Sequence, residues 1–411
     1  MSWIEADAAP QLPPPSVRAA LLRKAMEKTG PHPGRQAELA LALFDCGDSE
    51  GAARMYEAAA RADPRHWVAL ASVHYVAGRY DAALAACDRA APGAAALFLR
   101  GKALRRLGRD GEASAALRAA LEAGAGADAL TALLMLLARK GRCARAACAV
   151  RRPAAALADT APVRAYRAIA LSRLGRTAEA NALVDLERHV ARERFVPPES
   201  FGGVEAFNRA LAERSSPIRP VRAVRDGVDV HYEPRVRDSL AFAALYAFIR
   251  DAMQRYIDAM PRRGLDKVMP PPPQAATLFT ANVVLRQDGR NGQHIHGLGY
   301  ISAVYHVRVP DVVAQASDTR GRWRSAAATS RPAATRRAWG TRFIKPEAGW
   351  LTLFPSHIFH DVVPSGTAAP RISVAADLQA GAAVNLVSRP DPGAALSMPS
   401  GTSLVGTAGT P

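Results

Sequence analysis

The sequence predicts a protein of mixed class, with an α-helical repeat array followed by a β-rich domain. Two observations support this. In the first half, glycine with an alanine five residues later recurs roughly every 30 residues. In the second half, after the Pro-rich VMPPPPQ, the chain changes to short segments rich in β-branched and aromatic residues, such as ATLFTANVVLR and GWLTLFP. At 411 residues, of which 49% are hydrophobic, the chain is long enough for two cores.

The recurrent glycines of the first half predict paired helices. They are Gly47, Gly78, Gly108, Gly141 and Gly175, and the matching alanines are Ala52, Ala83, Ala113, Ala146 and Ala180. Glycine permits a tight turn between two helices, and alanine lets them pack closely. The pattern resembles tetratricopeptide repeats. The resemblance implies a solenoid of five helix pairs over residues 35–192, preceded by a partly disordered extension, 1–34. Such a solenoid either binds a protein or peptide or serves to dimerise the protein or brace its second domain.

Composition argues against several functional classes. The net charge of +17 comes from arginines scattered through the chain, and aromatic residues make up only 6%, so a nucleic-acid-binding stripe is not expected. The four cysteines have neither zinc-ribbon spacing nor the density of a disulfide scaffold, which fits a reducing cytoplasm. We find neither a signal-peptide pattern nor an apolar run of about 18 residues, so we expect a cytoplasmic protein without membrane contact.

Three histidines in the β-rich half form a candidate metal site. His294 and His296 are two residues apart in a strand-like segment, so they point to the same side while Ile295 points to the other. His360 lies in a second such run, with its neighbour Asp361 facing away. Imidazole is a common ligand of iron and related metals. The spacing therefore indicates one ion held by two segments.

An anion-binding pair follows on the next predicted strand. Arg371 and Ser373 share one face of RISVA, while Ile372 and Val374 share the other. A guanidinium and a hydroxyl presented together suit a carboxylate. An α-keto acid that chelates the metal at its other end would satisfy both sites.

The segments HIHGLGYISAVYHVRVPD, GWLTLFPSHIFHDVVPSG and RISVAADL together resemble the 2-oxoglutarate- and Fe(II)-dependent oxygenases, specifically members fused behind tetratricopeptide repeats. The resemblance implies a double-stranded β-helix (jelly-roll) domain with flanking helices over residues 193–387. It implies Fe(II) bound by His294 and His360, and the distal carboxylate of 2-oxoglutarate bound by Arg371 and Ser373. Two residues are further candidates for lining the cofactor cavity, although ordinary barrel packing would explain them equally well; they are Asn282 and Tyr305.

The chain departs from this family in two places. His296 stands where most members have aspartate, which favours three histidine ligands, with two histidines and a water as the alternative. Residues 314–338 contain no Val, Ile, Leu, Phe or Met, so we expect no buried strand there but an atypical basic loop over the active site, or a stretch read in a shifted frame. The tail, 388–411, is rich in Gly, Ser, Thr and Pro and is expected to be disordered.

The leading functional hypothesis is a dioxygenase that hydroxylates a protein, peptide or other substrate recruited by the helical repeats. Two alternatives remain open. One is a non-catalytic scaffold with an inactive β domain, which the missing carboxylate and the atypical loop would favour. The other is a three-histidine, cupin-like metalloenzyme that does not use a keto acid, for which Arg371 would need a different role.

Overall fold

The computed structural model describes residues 1–3, 13–139, 160–214, 228–232, 239–287, 289, 293–326 and 340–381. The chain divides into two compact units, one formed mainly by Asp7–Arg152 and the other mainly by Pro153–Ala383. The helix pair formed by residues 161–173 and 177–183, which the glycine and alanine pattern predicts as part of the repeats, belongs to the β-rich unit. The predicted repeat around Gly141 and the predicted tail, 388–411, lie outside the described residues.

The first unit consists of helices packed in sequential pairs. Its helices are α1 (Pro15–Thr29), α2 (Pro33–Asp45), α3 (Ser49–Ala62), α4 (Trp67–Val76), α5 (Tyr80–Arg89), α6 (Ala94–Arg106), α7 (Asp110–Glu122) and α8 (Ala127–Arg139). Helices α2 and α3, α4 and α5, and α6 and α7 pack against each other. Within the segment predicted as a partly disordered extension, the structure has the helix α1.

Glycine and alanine have the roles that the repeat pattern predicts. Gly78 and Gly108 adopt positive φ angles of 78° and 76° at the ends of α4 and α6, a conformation that other residues rarely adopt. Ala83 and Ala113 are almost fully buried, with exposures of 1% and 0%. The predicted fold class, helical repeats followed by a jelly-roll, is confirmed.

The second unit begins with helices and continues as two sheets. Its helices are α9 (Ala161–Arg173), α10 (Thr177–Leu183), α11 (Leu186–His189), α12 (Val204–Arg214), α13 (Leu240–Asp258) and α14 (Asp311–Ala314). Its strands are β1 (Ser2–Trp3), β2 (Ala191–Arg194), β3 (Val228–Tyr232), β4 (Ala275–Gln287), β5 (Gly299–Arg308), β6 (Trp323–Ala326), β7 (Thr341–Ile344), β8 (Trp350–Pro355), β9 (His360–Val362) and β10 (Thr367–Ala380). Among the described residues, no helix has the length and apolar character needed to cross a membrane.

The two sheets divide the unit into layers. The larger sheet has the order β1-β4-β10-β5-β8-β2, with β3 also paired to β4, and the smaller has the order β7-β6-β9. One face of the larger sheet packs on α12 and α13, where Ile372, Val374 and Leu378 of β10 join the main core. On the opposite face, Val283 and Leu285 of β4 contact Val362 of the smaller sheet. We call this second face the interior face.

The predicted absence of a buried strand in 314–338 is wrong for residues 323–326. These residues form β6, the central strand of the smaller sheet, and Trp323 is only 2% exposed. One large aromatic residue, packed on Phe354 at a ring distance of 5.1 Å, provides the burial that the missing aliphatic residues would have given. Residues 327–338 of the same stretch lie outside the described part of the chain.

Candidate metal centre

Two backbone segments bring the three histidines together. His294 and His360 form an antiparallel bridge, in which the amide of His294 donates to the carbonyl of His360 at 2.9 Å and the reverse bond is 3.0 Å. Residues directly opposite each other across such a bridge project to the same side. His296, two residues further on, shares that side, while Ile295 is buried with 6% exposure.

The side-chain nitrogens converge as a metal site requires. One ligand atom from each of His294, His296 and His360 lies within 4.8 Å of the other two. The Nε2 atoms of His294 and His296 are 3.2 Å apart. Two nitrogens bound at right angles to one ion, each ~2.1 Å from it, would be ~3 Å apart. The three rings therefore fit a single transition-metal ion.

In His360 and His296 the Nδ1 atom is engaged in a hydrogen bond, so Nε2 is the nitrogen available to bind a metal. Nδ1 of His360 lies 3.0 Å from the carbonyl of Ile358, which can only accept, so Nδ1 carries the proton. Nδ1 of His296 lies 2.6 Å from Oδ1 of Asp377. Fixing the outer nitrogen of a ligand histidine in this way orients the ring and selects the tautomer.

The surroundings keep His360 neutral. Burial, followed by the proximity of His294 and His296, lowers the pKa of His360 well below its usual range. Trp323 stacks on its ring at 5.8 Å, and Phe354 contacts it at 4.7 Å. A neutral imidazole in an apolar environment is the form that binds a metal.

The pKa of His296 shifts in the opposite direction to that of His360. Burial acts to lower the pKa of His296, but the charge of Asp377 and the hydrogen bond to it outweigh burial, so the pKa is raised. Bound metal and a second proton would therefore compete at Nε2 as the pH falls.

Arg371 is a buried cation on the interior face. It is 2% exposed, its Nη1 donates to the carbonyl of Gly321 at 2.9 Å, and its Nε has no hydrogen-bond partner. Burial lowers the pKa of Arg371 to about 10. None of the ion pairs found among the described residues involves it. A buried charge without a counter-ion is costly, so the guanidinium is well suited to an anionic ligand.

Ser373 and His306 lie beside the arginine. Ser373 is on the same face of β10 as Arg371 and pairs with His306 of β5. Nδ1 of His306 lies 3.5 Å from Nη2 of Arg371. Burial, then the charges of Arg371 and Arg192, lowers the pKa of His306 well below its usual range, so this ring is neutral. The sequence pattern does not single out His306, although alternation along β5 places it on the same face as Ser302 and Val304.

Asn282 and Tyr305 are not brought to the histidines. Both pair with Val374, which belongs to the helix-packed core, so both lie on the face opposite the interior face. The hydroxyl of Tyr305 donates to Asn208 Oδ1 at 2.7 Å, and its ring contacts Phe195 at 5.8 Å. This corrects the expectation that the two residues line the cofactor cavity. Alternation separates the two faces of a strand but does not identify which face is the interior.

Residues 282–377 match the profile of the family described as "Putative 2OG-Fe(II) oxygenase". The match contains all three histidines and Arg371, so this segment of the chain resembles a 2OG-Fe(II) oxygenase domain, in agreement with the resemblance predicted from the sequence. It also supports the expected cofactors, Fe(II) and 2-oxoglutarate. A search of curated proteins finds no match to the chain.

Solved structures resemble each half of the chain. A prolyl-4-hydroxylase from Pseudomonas putida is 16% identical, covering 48% of this chain and 96% of its own, with a TM-score of 0.33. HygX from Streptomyces hygroscopicus, solved with nickel and 2-oxoglutarate, is 14% identical, covering 47% and 83%, with a TM-score of 0.32. The tetratricopeptide-repeat protein YrrB is 19% identical, covering 40% and 93%, with a TM-score of 0.33. At these values the likeness carries no information on activity or substrate.

Proposed function

We propose that the β-rich unit is a 2-oxoglutarate- and Fe(II)-dependent dioxygenase that hydroxylates its substrate. One observation carries the proposal beyond the family match. The same layer of the fold holds three convergent imidazoles and a buried guanidinium that lacks an acidic partner among the described residues. Fe(II) suits the first group, and the distal carboxylate of a keto acid suits the second.

The proposal assigns each residue a role. His294, His296 and His360 would hold the metal through Nε2, and Arg371 with Ser373 would bind the distal carboxylate. Three protein ligands leave coordination positions for a keto acid. When bound, the metal and the keto acid would support a reaction with O2 in which one oxygen atom converts C–H to C–OH and the other enters succinate as 2-oxoglutarate loses carbon dioxide. The protein orients the keto acid through Arg371 and excludes water from His360 through Trp323 and Phe354.

We further propose that the helical repeats recruit the substrate, which favours a protein or peptide. Stacked helix pairs present an extended surface suited to such partners, and a small metabolite does not require one. The proposed role of the repeats in substrate binding can be tested with a substitution on the helical unit that leaves the three histidines unchanged. Lys102 lies over the rings of Tyr75 in α4 and Phe98 in α6 at 4.5 and 5.2 Å, so Lys102→Ala alters the surface that these two helices share.

The primary experiment concerns the cofactors. Fe(II) and then 2-oxoglutarate are added to the metal-free protein without oxygen, and the visible charge-transfer band of an iron-chelated keto acid is measured. We expect a band in the wild type and none in His360→Ala. A well-folded wild type that binds the metal but gives no band would favour the cupin-like alternative, and one that binds neither would favour the scaffold.

A further inference from the structure

A carboxylate lies directly behind one of the proposed ligands. Asp377 is on the interior face of β10, and its Oδ1 is 2.6 Å from Nδ1 of His296. The two side chains are 14% and 16% exposed. An ionised carboxylate can only accept, so Nδ1 of His296 donates the proton and the lone pair of Nε2 is directed away from Asp377. Asp377 is not part of the converging ligand group itself.

Two serines hold this carboxylate in place. Ser302 Oγ donates to Asp377 Oδ1 at 2.6 Å, and Ser356 Oγ lies 2.8 Å from Ser302 Oγ, to which it donates. The carbonyl of Ser356 in turn accepts from the backbone amide of His296 at 3.1 Å. The ring and the backbone of His296 are therefore fixed by one connected network, and such an arrangement fixes both position and tautomer.

The network also explains a glycine in the turn after His296. A Cβ added to Gly299 would lie 2.4 Å from Ser356 Oγ and 3.4 Å from Asp377 Oδ1. Any side chain at this position would displace the serine that supports Asp377. The turn is thus built around the hydrogen-bond network.

We propose that Asp377 is a positioning residue that supplies, through His296, the negative charge that a three-imidazole metal site lacks. The inference rests on the proposed function, since it assumes that His296 binds the metal. In a site with two histidines and one carboxylate, the carboxylate offsets part of the charge of the ion. Three neutral imidazoles offset none. A carboxylate that accepts a hydrogen bond from Nδ1–H makes the imidazole a more basic ligand, although the carboxylate itself does not contact the metal.

The test measures metal affinity in the absence of any keto acid. Co(II), which absorbs visibly when bound, is titrated into the metal-free full-length protein in competition with a chelator. We expect Asp377→Asn to weaken binding by roughly 10- to 100-fold and to shift the Co(II) absorption bands. The matched control is Asp361→Asn. Asp361 is buried and adjacent to His360 in sequence, but it pairs with Arg324 in the smaller sheet, so its loss should change affinity less than about twofold.

Chemical rescue separates charge from structure. In Asp377→Ala, added formate should restore part of the Co(II) affinity, because it replaces the carboxylate in the vacated space, whereas Asp377→Asn should not respond. Unchanged affinity and spectrum in Asp377→Asn would overturn the inference and leave the proposed function intact. Equal losses in Asp377→Asn and Asp361→Asn, with no formate rescue, would also overturn it. A folded wild type that binds no Co(II) would overturn both.

Discussion

His306 and Arg371 form a buried pair in which a neutral imidazole faces a guanidinium, with Nδ1 of the first 3.5 Å from Nη2 of the second. Neither side chain is more than 2% exposed. Because the histidine brings no negative charge, it orients the guanidinium without neutralising it. The pair is therefore arranged to bind an anion, in contrast to Arg324, whose charge is already matched by Asp361.

The unmatched charge of Arg371 should cost stability. Replacing it by methionine removes a buried cation, and we expect the free energy of unfolding of the ligand-free protein to rise by about 1–3 kcal/mol. Urea unfolding followed by tryptophan fluorescence measures this. In the same variant, 2-oxoglutarate affinity should fall roughly 100-fold, since a charge-assisted hydrogen-bond pair is worth about 3 kcal/mol. The control Arg324→Met should be destabilising instead. Weaker stability in Arg371→Met, with unchanged 2-oxoglutarate binding, would assign the arginine a purely structural role.

The variant His306→Ala tests the orienting role of the imidazole. We expect 2-oxoglutarate affinity to fall about tenfold, since one weak hydrogen bond that aims Arg371 is lost. Co(II) affinity should not change, because His306 is not among the converging nitrogens. The burial and neighbouring cations that keep the ring neutral predict no contribution from His306 to the pH dependence of binding between pH 6.5 and 8. Isothermal titration with each ligand separately measures both affinities. Loss of metal binding would show that His306 belongs to the metal site.

Alternation along strands predicted the convergence of His294 with His296 and the shared face of Arg371 and Ser373, because side chains on a strand have a period of two. The same rule places Asp377 on the face of Arg371, six residues earlier in the strand, but nothing in RISVAADL marks this acid as the partner of His296. That contact depends on the turn at Gly299, which spacing does not reveal.

Two other features depend on contacts that the sequence does not reveal. The sequence leaves open whether Asn282 and Tyr305 line the cavity or belong to the packed core, because it does not identify which face of the large sheet meets the helices. The strand β6 was missed because its burial depends on one residue, Trp323, whose partners Phe354 and His360 come later in the chain. The helical repeats were predicted more completely, since each unit repeats the same local signal of glycine and alanine.

The placement of Tyr305 makes its removal a test of the face assignment. Tyr305→Phe leaves Asn208 Oδ1 without its donor in a site where Asn208 is 6% exposed. We expect the free energy of unfolding to fall by about 1–2 kcal/mol. Affinity for 2-oxoglutarate should be unchanged, because the hydroxyl faces the helices. A selective loss of 2-oxoglutarate binding at unchanged stability would contradict this placement and restore the role expected from the sequence.

His189 should make the β-rich unit sensitive to acid. It is fully buried, and burial lowers the pKa of His189 to about 4, although the neighbouring backbone and charge of Asp185 act to raise it. Its pKa in the unfolded chain is about 6.5, so between pH 6.5 and 4 the unfolded state binds more protons and stability falls as the pH falls. Integrated over this window, the loss from His189 amounts to about 3 kcal/mol. Urea midpoints measured across the window should show a smaller slope for His189→Asn than for the wild type. Identical slopes for His189→Asn and the wild type would mean that the protonated ring is accommodated in the folded state.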